Sequence, residues 1–233
     1  MKTLSHPISA LSLLLIGMLV SITLSVMSTW ADFEAAFYGF TKQAKNPLSG
    51  LSCPILMGSN ESQTISIKVT NPTGQVISPS VRTEISTSLA PATSLEFIDL
   101  AAGEAHTFTW NIGPDNLDLG QFIFAKVLVY SAYPMPDQEN TCGVFVLPVR
   151  GNGTWILVIT SIISILSLIS GAYLLHKSDL SEKTKRPVLF LAALILLTMA
   201  ISFMGLWIQA IVLLAITTLM IFIILSLRLR QNT

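Results

Sequence analysis

The sequence predicts a membrane protein of the α plus β class: four transmembrane helices, with an extracytoplasmic seven-stranded β-sandwich inserted between the first and the second. Three observations carry this prediction. Long stretches lack charge, basic and acidic residues fall on opposite sides of them, and the segment after the first stretch alternates apolar with polar residues. Only 11% of the 233 residues are charged, 52% are hydrophobic, and mean hydropathy is +0.67, whereas a soluble domain carries about 25% charged residues. The deficit requires segments that never meet water. The same composition excludes disorder, and two cysteines are too few for a disulfide-dense scaffold.

Crossing hydrocarbon about 30 Å thick takes roughly 20 apolar residues of helix. Ile8 to Met27 and Thr154 to Leu175 meet that length, and Val188 to Leu227 offers 40 positions without a charge, enough for two crossings. Gly205, in Met204-Gly205-Leu206-Trp207-Ile208-Gln209, divides the last run into a tight hairpin. The expected order is a first helix as signal anchor (1–30), an interfacial linker or amphipathic helix (31–50), the sandwich (51–150) and a second helix (154–176). A basic cytoplasmic loop (177–187), third and fourth helices (188–205 and 207–227) and a tail (228–233) follow. A cleavable signal peptide ending near Thr29-Trp30-Ala31 is the alternative for the first helix. Signal cores span about 7 to 15 residues, and this run is near 20, which favours retention.

Cytoplasmic flanks collect Lys and Arg. Lys2, Lys177, Lys183, Lys185, Arg186, Arg228 and Arg230 face only Asp179 and Glu182, whereas residues 31–153 carry six basic against eleven acidic side chains. Both termini are therefore expected in the cytoplasm and residues 31–153 outside a multi-pass plasma-membrane protein. Trp30, Trp155 and Trp207 fall at the expected outer ends of spans, where indole rings serve as interface anchors.

Within the outer segment, Ile65, Ile67 and Val69 alternate with polar residues, as a strand with one buried face requires. Asn71-Pro72-Thr73-Gly74 is a turn signal. Val81, Thr83 and Ile85, then Leu95, Phe97 and Leu100, then Phe108, Trp110 and Ile112 continue the alternation. Phe122–Tyr130 is apolar on both faces, and Leu51–Met57 and Val144–Val149 complete seven strands. Phe33, Phe37 and Phe40 follow Trp30 at helical spacing, so the linker reads either as an interfacial helical extension of the first span or as irregular chain packing its aromatics on the domain.

Asp118-Leu119-Gly120-Gln121-Phe122 resembles the Asp-x-Gly-x-Tyr corner of immunoglobulin-like sandwiches, with Phe in place of Tyr. The cysteine pair of antibody domains is missing, since residue 124 is Phe. Val69 to Gly74 resembles a segment of bacterial membrane-anchored modules of the cell-adhesion-related type, a likeness over about residues 50–150. That resemblance implies binding or spacing outside the membrane and no catalysis. The tetraspan order is also similar to that of claudin-like junction proteins, whose Gly-Leu-Trp-Cys-Cys signature is absent. Cys53 lies in the first expected strand and Cys142 at the approach to the last; in an oxidising compartment they form a disulfide, and otherwise they are two buried thiols.

Catalytic chemistry finds no constellation. His6, His106 and His176 are far apart in sequence, and the expected span interiors hold no Asp, Glu, Lys, Arg or His. Asp115-Asn116-Leu117-Asp118 offers oxygens to Ca²⁺, but the same residues are ordinary turn formers. Small residues do recur on one stripe of two spans: Ala10, Gly17, Ser21 and Ser28 on the first, and Thr160, Ser164, Ser167 and Gly171 on the second. Such stripes let helix backbones approach, either within the chain's own four-helix bundle or against another subunit. The expectation is a non-enzymatic accessory or structural subunit of a membrane complex. Alternatives are a cell-surface adhesion or envelope-organising protein and a non-catalytic component of a transporter or membrane enzyme. No cofactor and no nucleic acid are expected. Expected partners are the lipid bilayer, other membrane subunits or a second copy, and an extracytoplasmic protein or glycan ligand.

Overall fold

The computed structural model describes residues 5–130, 132–178 and 180–231. Lys2 and Asp179 lie outside the described residues, as do the side chains of His6, Lys183, Arg228 and Arg230. The chain is α plus β and forms two compact units, one of Met1–Thr29 with Trp155–Thr233 and one of Trp30–Thr154.

Four long apolar helices supply the first unit: α1 (Ser5–Phe37), α2 (Gly153–Lys177), α3 (Glu182–Phe203) and α4 (Trp207–Gln231). Each contains 18 or more residues apolar enough to cross a membrane. Three element bounds differ from the spans expected. Helix α1 runs to Phe37, so of the two readings of the linker the extension of the first span holds for residues 31–37. Helix α3 begins at Glu182 and absorbs half of the expected basic loop, because Glu182 pairs with Lys185 and Arg186 at helical spacing. The last helix continues through Gln231, into the expected tail. Between α3 and α4, Gly205 adopts φ +71°, and the amide of Leu206 returns to the carbonyl of Ile201, a left-handed helix stop for which glycine is suited.

The helices do not close the expected four-helix bundle. Leu14, Leu168, Leu175, Leu191 and Ile195 form a core contributed by α1, α2 and α3, with Met220, Ile221 and Ile224 of α4 at its margin. Helix α4 buries fully only Ala210 and Thr217 among its described residues, while Val212, Leu219 and Phe222 are exposed. Close backbone approach is confined to α1 and α2, where Gly17 and Gly171 leave no room for a Cβ, and α4 carries no glycine.

The second unit is a two-sheet sandwich. The strands are β1 (Asn46–Pro47), β2 (Leu51–Ser52), β3 (Leu56–Gly58), β4 (Gln63–Thr70), β5 (Ser80–Ile85), β6 (Ala92–Phe97), β7 (Ala105–Ile112), β8 (Phe122–Tyr130) and β9 (Gln138–Leu147). Among the described residues, nine strands replace the expected seven. The stretch Leu51–Met57 divides between two sheets, β2 pairing with β4 and β3 with β9, and the two-residue β1 carries no periodic signal. The last strand spans Gln138–Leu147 instead of Val144–Val149. The larger sheet is mixed, in the order β1-β9-β8-β5-β6 with β3 also on β9, and β1 and β3 run parallel to β9. The smaller is β2-β4-β7.

Ile65, Ile67, Val69, Phe108, Trp110 and Ile112 of the smaller sheet meet Val81, Ile85, Ile123, Val127 and Val144 of the larger in one core. Strand β8 is buried on both faces because its other face, carrying Phe122 and Phe124, is covered by Ala31 and Ala35 of α1, with Tyr38 and Phe40 beyond. Gly143 makes this approach possible. A Cβ there would lie 1.9 Å from the carbonyl oxygen of Ala31 and 2.9 Å from its Cα, both backbone atoms that cannot swing away. Gly143→Ala is therefore expected to destabilise the sandwich by about 1 to 3 kcal/mol or more, measured as a lower Tm of the purified protein. An unchanged Tm would mean that α1 does not press on β9.

Candidate functional site

The chain's distinctive chemistry lies where it passes into and out of the sandwich and where helix meets helix. Strand β9 brings Cys142 to Cys53, just after β2, and the two form a disulfide. The bond closes a loop with a sequence separation of 89.

The exit from the sandwich is gathered by Glu61. Its Oε2 accepts the amides of Gly58 at 2.9 Å and Gly153 at 2.7 Å, and Gly153 is the first residue of α2. A carboxylate at a helix N-terminus satisfies an amide without an intrahelical partner. Gln63 donates through Nε2 to Oε1 of Glu61 at 2.7 Å and to Oγ1 of Thr154 at 3.1 Å. Gly153 must be glycine, since a Cβ there would meet the Leu56 carbonyl oxygen at 2.4 Å.

The entry is held by three links. Oδ1 of Asp32 accepts the amide of Gly143 at 3.1 Å. The Tyr38 hydroxyl donates to Oδ2 of Asp118. This supplies to the corner, from a distant residue, the hydroxyl that Phe122 lacks. Burial, and then the Asp118 carboxylate, push the Tyr38 hydroxyl up to about 12. The third link is Lys126, only 2% exposed, whose ammonium pairs with Oε2 of Glu139 at 3.3 Å and donates to the Thr41 carbonyl. The same Glu139 oxygen accepts the amides of Gln43 at 2.8 Å and Ala44 at 3.0 Å.

Burial disfavours the charge on Glu61 and Glu139, but donated hydrogen bonds outweigh it and hold both carboxyls below their ordinary range. Carboxyls depressed in this way stabilise the fold fully above the unfolded-state pKa of about 4.5 and lose that contribution as pH falls through the lower folded values. The expected result is a Tm that is level at neutral pH and falls below about pH 4.5, with Glu61→Gln and Glu139→Gln each flattening the acid limb. An acid limb unchanged from the native protein's in both variants would count against these links.

In the helical unit, part of the expected stripe meets. Ser21 and Ser164 share a hydrogen bond of 2.6 Å, and Oγ of Ser164 lies 2.8 Å from the Gly17 carbonyl oxygen. A Cβ on Gly17 would fall 2.7 Å from Leu168 Cγ and 2.9 Å from the Ser164 carbonyl oxygen, and one on Gly171 3.0 Å from the carbonyl oxygen of the buried Ala10. Ser28 instead donates to the Ser202 carbonyl of α3 at 3.2 Å. Thr160 bonds back to Ile156 of its own helix and Ser167 is only half-buried, so the buried α2 stripe is Ser164, Leu168, Gly171 and Leu175. Sequence reading missed Ser25, Thr29 and Ser202. Ser202 donates to the Ser25 carbonyl at 3.1 Å and shares a bond with Thr29. Their signal is a set of hydroxyls spaced at 4 and 4 on α1, continuous with Ser21.

Trp30, exposed on α1, donates to Glu34 at 2.8 Å. Trp155 is exposed near the start of α2 and Trp207 opens α4 half-buried. Two residues of the acidic turn have their side-chain oxygens engaged: Asn116 Oδ1 accepts the Gly113 amide, and both Asp118 oxygens accept hydrogen bonds, from Tyr38 and Leu119. Among the described residues, no three His, Cys, Asp or Glu side chains gather as metal ligands.

No family model matches the sequence, and no curated protein matches it. Solved structures similar to the chain include the CARDB domain of the PF1109 protein from Pyrococcus furiosus, an immunoglobulin-like fold. It is 17% identical, with 47% of this chain and 99% of that one covered and a TM-score of 0.36. A cycloisomaltooligosaccharide glucanotransferase from Paenibacillus sp. is 12% identical over 47% of this chain and 15% of the other, with a TM-score of 0.35. A β-glucosidase from Listeria innocua is 17% identical over 47% and 18%, with a TM-score of 0.28. The chain thus spans under a fifth of either enzyme, and the likeness is a weak one of fold.

Proposed function

We propose that the chain is a multi-pass integral membrane protein, with both termini cytoplasmic, that presents an immunoglobulin-like sandwich outside the membrane as a non-enzymatic accessory or structural subunit of a membrane complex. The observation that carries the reading is the uneven use of the four helices. Helices α1, α2 and α3 are joined by buried hydroxyls, while α4 leaves Val212, Leu219 and Phe222 exposed along its length. A tether needs one span. Three further helices, one with most of its apolar surface uncovered, favour lateral association with another membrane subunit. The disulfide and the basic flanks support an outward-facing domain.

Purification in mild detergent followed by mass spectrometry is expected to return a stoichiometric membrane partner. A monomer alone, together with binding of the outer domain to cells or glycans, would move the assignment to adhesion. Helix pairing is checked separately: a Ser21→Cys/Ser164→Cys pair is expected to cross-link under mild oxidant, and a pair at Ile16 and Ile169, both exposed, is not.

A further inference from the structure

We infer that one end of the sandwich rests on the lipid surface through two apolar loop tips, Leu89 and Leu119; this assignment depends on the membrane reading above. Residues 30 and 154, where the chain leaves the sandwich for its helices, belong to the same end of the domain. There, Ala31 and Ala35 pack on Phe122 and Phe124 at the start of β8, and Gly153 is fastened to Glu61 in the loop between β3 and β4. The two loops that carry the leucines open at that end as well. The amide of Ser86, just past β5, donates to the Phe124 carbonyl, and the Ser86 hydroxyl donates to the Asn116 carbonyl in the loop leading to β8.

Both tips are built to hold a leucine outward. Thr87 Oγ1 accepts the amides of Leu89 and Ala90, which tightens the turn and leaves Leu89 97% exposed. From Ser86 to Leu95 the chain has no charge. Leu119 is 62% exposed and has φ +47°, followed by Gly120 at +78°. Two consecutive left-handed residues make the hairpin turn that Asn-Gly forms most readily, and leucine is disfavoured at its first position. A strained backbone carrying an exposed apolar side chain points to a use for that side chain. The nearby Asp115 argues against attraction to anionic headgroups, so the assigned surface is a zwitterionic one.

The full chain, reconstituted in phosphatidylcholine vesicles containing chain-brominated lipid, tests this. Both native cysteines are in the disulfide, so a single added cysteine takes the fluorophore. Labels go at Leu89→Cys, Leu119→Cys, Val76→Cys in the loop at the far end of β4, about 25 Å away by strand length, and Val212→Cys on α4. Quenching at 89 and 119 is expected to be several-fold stronger than at 76. Leu119→Asn is expected to keep or raise Tm while weakening the quenching at 89. If 89 and 119 quench no more than 76 while 212 is quenched, the inference is overturned and the membrane reading stands. If 212 also escapes quenching, the membrane reading itself fails. A blue-shifted but unquenched label at 89 would mean that protein covers the tip, which overturns the assignment to lipid.

Discussion

Replacing Cys53 and Cys142 together by alanine is expected to lower the stability of the sandwich by about 4 to 5 kcal/mol, because the closed loop is long and its closure entropy is removed from the unfolded chain. In a domain of this size that corresponds to a Tm lower by on the order of 10 to 20 °C. The loss is not local. Cys142 sits in β9, which carries β1, β3 and β8, while Cys53 follows β2, an edge strand of the other sheet. The bond therefore ties the two sheets together beside the points where β1 and β3 add to β9. Thermal melts of the detergent-purified protein, native against double variant and with or without reductant, give the measurement. A shift of only a few degrees would mean that the core alone holds the sheets.

The second large effect is expected at Glu139. Glu139→Ala leaves Lys126 buried with the Thr41 carbonyl as its remaining partner and frees the amides of Gln43 and Ala44. Removing one partner of a buried pair costs about 3 to 5 kcal/mol, most of it from the charge left behind. Lys126→Met in the same background is expected to restore a substantial part, since it removes the stranded charge and fills the site with a side chain of similar length. The double variant should still release the segment 41–44, which limited proteolysis at Lys42 and Lys45 would show as faster cutting. If the double variant is no more stable than Glu139→Ala, the ion pair is not what fastens this segment.

Several elements are legible in the amino-acid sequence because their signals are local. The alternation Ile65, Ile67, Val69 puts one face of β4 into the core, the uncharged runs become α1 to α4, and Gly205 marks the turn between the last two. The double-faced apolar pattern of Phe122–Tyr130 indicates cover on both sides. It does not reveal that the cover is α1 itself. Boundaries slip where a pattern ends gradually: nothing in the sequence stops α1 at Met27, and aromatic residues at helical spacing carry it to Phe37. The buried stripe on α2 keeps Ser164 and Gly171 but takes Leu168 in place of Ser167 and leaves out Thr160, because a helix face at 3.6 residues per turn admits either spacing. The candidate site is mostly illegible from sequence. Glu61 with Gly153, Asp32 with Gly143, Tyr38 with Asp118 and Lys126 with Glu139 pair residues 13 to 111 positions apart.

The amino-acid sequence by itself determined the apolar helices, the strands with regular alternation, the two cysteines available for pairing and the separation of basic from acidic segments. These follow from periodicity and composition, which a short window of residues expresses. Only the tertiary structure decided that nine strands form two sheets, that α1 lies on β8 and β9 across Gly143, and that Glu61 and Glu139 gather the chain where it leaves and enters the sandwich. Each of those depends on which distant residues share a contact, and a single chain's pattern of polar and apolar residues does not encode such pairing.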